Sequence, residues 1–146
     1  MTCIFCKIIN DKLPSSKIYK DKICIVILDI QPVNTGHVLI IPKEHYKLII
    51  EYPNEIVSHI FSIAQRVNLA LRKADIKCEA VNYFLTDGKS AGQEIFHAHL
   101  HVFPRFQGDG FGLTFPKRYF EEKPSREELN NIAKLIKHSL HSKTID

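Results

Sequence analysis

Phe96-His97-Ala98-His99-Leu100-His101-Val102-Phe103 decides how the rest of the chain is read. Three histidines alternate with Ala98, Leu100 and Val102, and a period of two marks a strand with two chemically different faces. One face is apolar and suits a core. The other carries three imidazoles, each roughly 6.5–7 Å along the strand from the next. A solvated, hydrogen-bonded strand would show the same alternation, so the flanking residues have to discriminate. Immediately upstream, Asp87-Gly88-Lys89-Ser90-Ala91-Gly92-Gln93 is turn-rich. It is expected to bring backbone N–H groups beside the histidine face, where a phosphate would be held.

The whole chain sets the bounds. Its 146 residues suffice for one domain with its own core, and 45% apolar with 25% charged residues is an ordinary globular composition. A net charge of +4, with lysines and arginines scattered, permits an anionic small molecule and argues against nucleic acid. No apolar run approaches the ~18–20 residues of a membrane span. Met1-Thr2-Cys3-Ile4-Phe5-Cys6 lacks the layout of a signal peptide. A cytoplasmic protein with no membrane partner is expected. The glycine-rich signatures of dinucleotide and P-loop sites are absent. Without an export signal, the four cysteines read as thiols rather than a disulfide framework. Cys24 and Cys78 lie in or beside strand-like runs and are expected to be buried, whereas Cys3-x-x-Cys6 is half of a tetrahedral metal site.

In chain order, Ile4–Ile9 reads as a helical turn carrying Cys3 and Cys6 at its start. Lys17–Lys20 and Ile23–Ile30 read as a hairpin, and His37–Ile41 as a third strand after the Asn34-Thr35-Gly36 turn. From Asn54, a candidate N-cap, to about Ala74 the pattern turns helical, with Ile56, Ile60, Ala64 and Leu71 on one stripe. Ala80–Leu85 and Ala98–Phe103 complete five strands, and Arg105–Lys123 shows no regular pattern. Ser125-Arg126-Glu127-Glu128 is a capping box opening a last helix over about residues 126–141. The spacing predicts an α+β fold: an antiparallel five-stranded sheet, one long central helix and a C-terminal helix, in a single domain over residues 1–146.

His97-Ala98-His99-Leu100-His101-Val102-Phe103 resembles the signature of the histidine triad (HIT) superfamily. Cys3-Ile4-Phe5-Cys6-Lys7-Ile8-Ile9, Leu28-Asp29-Ile30, Gly36-His37-Val38-Leu39-Ile40-Ile41-Pro42-Lys43-Glu44-His45 and Ala91-Gly92-Gln93 resemble that family's other blocks, in order, over about residues 3–107. The bacterial nucleotide-binding hydrolases are the most similar type, and these usually dimerise through a shared sheet.

The resemblance implies a HIT-like fold and cleavage of a phosphoric anhydride or phosphoramidate bond at the α-phosphate of a purine nucleotide. Dinucleoside polyphosphates and nucleoside phosphoramidates fit, with a nucleoside monophosphate released and no organic cofactor. His99 would be the nucleophile that becomes nucleotidylated, as neutral imidazole can at pH 7. His101 would donate to phosphate oxygens, and His37 would orient His99 through its other nitrogen. Asp29, with Ile30 beside it, would meet the ribose. Gly92 and Gln93 would lie along the phosphates. Thr86 stands where many members have Asn, and Glu94 where the eukaryotic branch has Ser, so the leaving group is in doubt and an amine-bearing one gains appeal. Cys3, Cys6, His45 and His97 match the set that some bacterial members use for structural Zn²⁺, and a ligated His97 could not carry protons. Two other readings stay open. The three histidines could hold a catalytic zinc with Glu94 as base, or the chain could bind a nucleotide without turning it over.

Overall fold

Five β-branched and aliphatic runs form the strands, β1 (Lys17–Lys20), β2 (Cys24–Leu28), β3 (Val38–Pro42), β4 (Ala80–Phe84) and β5 (Leu100–Arg105). In the computed structural model, which describes residues 3–141, they pair antiparallel throughout in the order β1-β2-β3-β5-β4. The expected α+β architecture is therefore present. A first helix, α1 (Ile4–Ile9), precedes the sheet, and the long helix α2 (Asn54–Lys73) falls between β3 and β4. The chain divides into two compact units, one running up to Phe111 and one from Gly112 onward.

Period-two alternation sorts the first unit's core onto two faces. Cys24 and Val26 of β2, Val38 and Ile40 of β3, and Leu100 and Val102 of β5 pack with Ile60, Ile63, Ala64 and Leu71 of α2. The alternate residues Ile25, Ile27, Leu39 and Ile41 pack with Phe5 and Ile8 of α1. Both faces of β2 and β3 are thus covered, which explains why they read as continuous aliphatic runs. In β5 the register sets Leu39 opposite His101, so His101 lies on the α1 face of the sheet; the strand begins at Leu100 and not at the expected Ala98, and His97 and His99 precede it. Helix α2 starts at Asn54 with Pro53 in the N-cap position and no side-chain cap bond, one residue from the expected arrangement. Cys24 is fully buried and Cys78 only partly so.

In the second unit a single turn, α3 (Arg118–Glu121), interrupts the stretch that shows no sequence pattern. Helix α4 (Arg126–His141) follows. Its capping box forms as expected: Glu128 N–H donates to Ser125 Oγ at 3.2 Å and Ser125 N–H to Glu128 Oε2 at 2.7 Å. Among the described residues no helix is long and apolar enough to cross a membrane.

Gly36, in the turn before His37, has φ +95°, and a Cβ there would stand 2.6 Å from Ile76 Cδ1. Gly36→Ala therefore meets backbone strain and a core clash together. Urea unfolding is expected to show a loss of about 1–3 kcal/mol.

Candidate active site

The segment that carries the histidines is strapped down before β5 begins. Ala98 N–H donates to the Tyr46 carbonyl at 2.7 Å, and Tyr52 O–H donates to the Ala98 carbonyl at 2.5 Å. His97 and His99 are buried on either side of that strap, 0% and 8% exposed.

Hydrogen bonds to the backbone assign the ring tautomers, because a carbonyl can only accept and an amide N–H can only donate. His99 Nδ1 lies 2.8 Å from the His97 carbonyl, so it carries the hydrogen and Nε2 keeps its lone pair. Val33 N–H donates to His37 Nδ1 at 3.1 Å, which puts the hydrogen of neutral His37 on Nε2. His37 Nε2–H then donates to His101 Nδ1 at 2.9 Å, leaving the hydrogen of His101 on its own Nε2. His37 therefore orients His101 and not His99. The carbonyl two residues back in the chain orients His99, a partner that no side-chain pattern can reveal.

Burial drives the imidazoles toward the neutral form. It pushes His99 down to about 4, against the opposing hydrogen bond to the His97 carbonyl, and His101 likewise to about 4. His37 is lowered by the same cause, partly countered by Asp29. Asp29 Oδ2 stands 3.6 Å from His37 Nε2 and 3.8 Å from His101 Nδ1, and its Oδ1 accepts the Gln31 N–H at 2.9 Å.

These groups open onto a cavity of about 450 Å³. His37, His99, His101, Asp29, Ile30, Thr86, Gly92 and Glu94 all line it. Gln93 and His97 do not. The Gln93 side chain is turned inward, where its amide accepts the Gly88 N–H at 2.8 Å and donates to the Lys47 and Ile95 carbonyls. It clamps the loop and does not line the cavity. The loop's own N–H groups are also engaged: Ala91 and Gln93 donate to the Gly88 carbonyl and Gly92 to that of Lys89. The expected backbone cradle is not formed by these residues. Glu94 is exposed and has no ion-pair partner among the described residues.

Sequence reasoning missed the part that α1 plays in the apolar wall. Ile4, Phe5 and Ile8 of α1, with Ile27 and Leu39, line the cavity, and Phe5 stands edge-on to His99 with ring centroids 4.8 Å apart. The only available sign was the apolar character of Phe5 between two cysteines, more than 90 residues before the triad.

His97 faces elsewhere. Its Nε2–H donates to the Pro42 carbonyl at 2.8 Å, and its Nδ1 lies 3.5 Å from Cys3 Sγ and 3.7 Å from Cys6 Sγ. Cys6 Sγ is also 3.3 Å from His45 Nδ1. The four ligand atoms lie within 4.8 Å of one another. Two soft thiols and two imidazoles, one of them oriented by a carbonyl, are a donor set suited to Zn²⁺. His97 thus sits as a ligand would, and it does not line the cavity with His99 and His101.

The chain matches the family model of the HIT domain over residues 10–108. It superposes on a HIT family protein from Bacillus subtilis with a TM-score of 0.85 at 37% identity, covering 98% of this chain and 100% of the other. A Zn-bound histidine triad family protein from Mycobacterium smegmatis gives a TM-score of 0.74 at 35% identity, covering 99% of each chain. An adenylylsulfatase from Arabidopsis thaliana is 41% identical over 93% of this chain and 68% of its own length. An adenosine 5'-monophosphoramidase from Saccharomyces cerevisiae is 40% identical over 70% of this chain and 62% of its own.

His101 meets Asp29, His37 and His99, and its folded-state pKa of about 4 lies below the ~6.5 of an unfolded histidine. The unfolded chain therefore takes up the proton first on acidification. The stability linked to this group is complete above about pH 6.5 and is lost as pH falls toward 4. Urea unfolding at pH 7 and pH 5 is expected to show a smaller drop for His101→Gln than for the wild type.

Proposed function

The chain belongs to the HIT family, and from that premise we propose that it is a nucleotide hydrolase that cleaves at the α-phosphate through a nucleotidyl-His99 intermediate. The observation that carries this reading is the hydrogen bond from His99 Nδ1 to the His97 carbonyl, which leaves the Nε2 lone pair of a neutral, cavity-lining imidazole free to attack.

Attack of His99 Nε2 forms a P–N bond while the bond from phosphorus to the leaving group breaks, its electron pair leaving with that group. Charge that develops on the phosphoryl oxygens meets the Nε2–H of His101, which His37 and the Val33 N–H keep in the donating tautomer. In the second step a water oxygen attacks phosphorus and the P–N electrons return to His99. The proton that the water sheds to solvent balances the one that the leaving group took up from solvent as it departed, and a nucleoside monophosphate is released. Asp29 suits the ribose hydroxyls, and the wall of Ile4, Phe5, Ile8 and Ile27 suits a purine. The unpaired carboxylate of Glu94 at the cavity disfavours a polyphosphate leaving group and favours an amine, consistent with similarity to a phosphoramidase.

Cys3, Cys6, His45 and His97 would hold a structural Zn²⁺, which with four protein ligands supplies a cross-link and no open coordination position. The rival reading that His97, His99 and His101 share a catalytic zinc loses support, since the metal-capable groups among the described residues do not join those three histidines, although Asp29, His37 and His101 at the cavity do form one. Free thiols suit a reducing, cytoplasmic setting.

We also propose that a second copy pairs along β4. The other sheet edge, β1, is blunted by Lys17, Lys20 and a register irregularity. Ala80-Val81-Asn82-Tyr83-Phe84 has none of these devices and is mostly exposed. Light scattering is expected to give a dimer mass for the wild type and a shift toward monomer for Tyr83→Glu. A monomeric wild type refutes the pairing.

Intact-protein mass spectrometry tests the chemistry. Mixing with an adenosine phosphoramidate is expected to give a transient gain of one nucleoside monophosphate that survives denaturation and is lost in His99→Ala. A diadenosine polyphosphate should react more slowly. His101→Gln is expected to lower kcat by ~10²–10⁴. Turnover with no adduct would refute the covalent route.

A further inference from the structure

Helix α1 serves two places at once. Its flank presents Cys3 and Cys6, whose sulfurs lie 3.5 and 3.7 Å from His97 Nδ1. The same six residues put Ile4, Phe5 and Ile8 on the wall of the cavity. Phe5, between the two cysteines, meets the His99 ring edge-on at 4.8 Å and the His97 ring at 5.9 Å. A second connection runs through the backbone. His97 joins the cluster with its ring and holds His99 Nδ1–H with its carbonyl. The cluster and the nucleophile are therefore joined by two separate contacts, one through a packed aromatic ring and one through a hydrogen bond.

Local structure alone does not hold α1. It is six residues long, its N-cap makes no side-chain bond, and a helix of that length does not persist unaided. Its position depends on the burial of Phe5 and Ile8 and on whatever ties Cys3 and Cys6 to His45 and His97.

We infer that the Cys3-Cys6-His45-His97 cluster is a control element of the nucleotide site: Zn²⁺ held there pins α1 and His97, and its removal loosens the wall of the cavity and frees His99 from a single orientation. The inference rests on the reading of the cavity as a nucleotide site and of the cluster as a zinc site. Because the two sites would share one structural element, the coupling is reciprocal. Nucleotide binding must strengthen zinc binding by the same factor by which zinc strengthens nucleotide binding.

Reciprocity supplies a test independent of turnover. The full chain, kept reduced, is titrated with AMP by calorimetry in its zinc-loaded and chelator-stripped forms. Zinc affinity is measured against a chromophoric chelator with and without saturating AMP. AMP is expected to bind ~10-fold more weakly to the stripped protein, within the usual range of such couplings, and zinc to bind more tightly with AMP by the same factor. Nitrogen-15 shifts of His99 should change from one tautomer toward a mixture on stripping. Phe5→Leu should retain zinc and reduce the mutual dependence. If the stripped chain loses its cooperative unfolding transition, His45→Asn replaces stripping. This change weakens the cluster from an exposed loop position outside the cavity lining, and it must reproduce the loss in AMP affinity. Equal AMP affinity with and without zinc overturns the inference and leaves the hydrolase reading intact. Failure to bind zinc overturns the inference alone. Failure of the zinc-loaded protein to bind AMP overturns both.

Discussion

The hydrogen bond from His99 Nδ1 to the His97 carbonyl determines which nitrogen can act, and much of the first unit serves to hold its two ends. The carbonyl is fixed because residues 97 and 98 are anchored to Pro42, which ends β3, and to Tyr46 and Tyr52, which lie between β3 and α2. The ring is fixed because Phe5 packs against it. A shift in any of these anchors would free a ring flip that exchanges the two nitrogens and removes the lone pair from the cavity.

Three buried histidines and a half-buried one, His101, are an unusual cargo for a small sheet. Desolvation penalises the imidazolium, so each ring stays neutral at pH 7, and a neutral ring offers one donor and one acceptor. The fold meets those needs with backbone groups: the Pro42 carbonyl for His97, the His97 carbonyl for His99 and the Val33 N–H for His37. His101 takes its direction from His37. Neutrality and tautomer choice thus come from the same burial. That suits a nucleophile, which needs an unprotonated nitrogen in one place.

Other anchors sit behind the turn that supplies Val33. Asn34 donates to the Pro104 carbonyl and to Asp109, and Asp109 forms a paired contact with Arg105 at 2.5 and 2.9 Å. That pairing, with hydrogen bonds from the backbone of Phe111 and Phe106, holds the Asp109 carboxyl well below the usual carboxylate range. The turn that ends in Gly36 is thereby tied to the end of β5, and His37 leaves it aimed at His101.

The sequence by itself determined the elements and the chemistry types. Alternation over residues 97–103 placed the histidines on one side of a strand, the stripe from Ile56 to Leu71 marked α2, and Ser125 with Glu128 marked the start of α4, because each signal lies within a few residues and depends on local geometry. The resemblance to the HIT blocks pointed to Asp29, His37 and Gly92, and all three line the cavity. Tertiary structure alone decided the assignments between segments. It gave His37 to His101, turned Gln93 inward and brought Phe5 against His99. Those outcomes depend on which ring nitrogen finds a backbone partner and on which helix covers one face of the sheet. Such contacts span up to 94 residues of chain and leave no periodic trace in it.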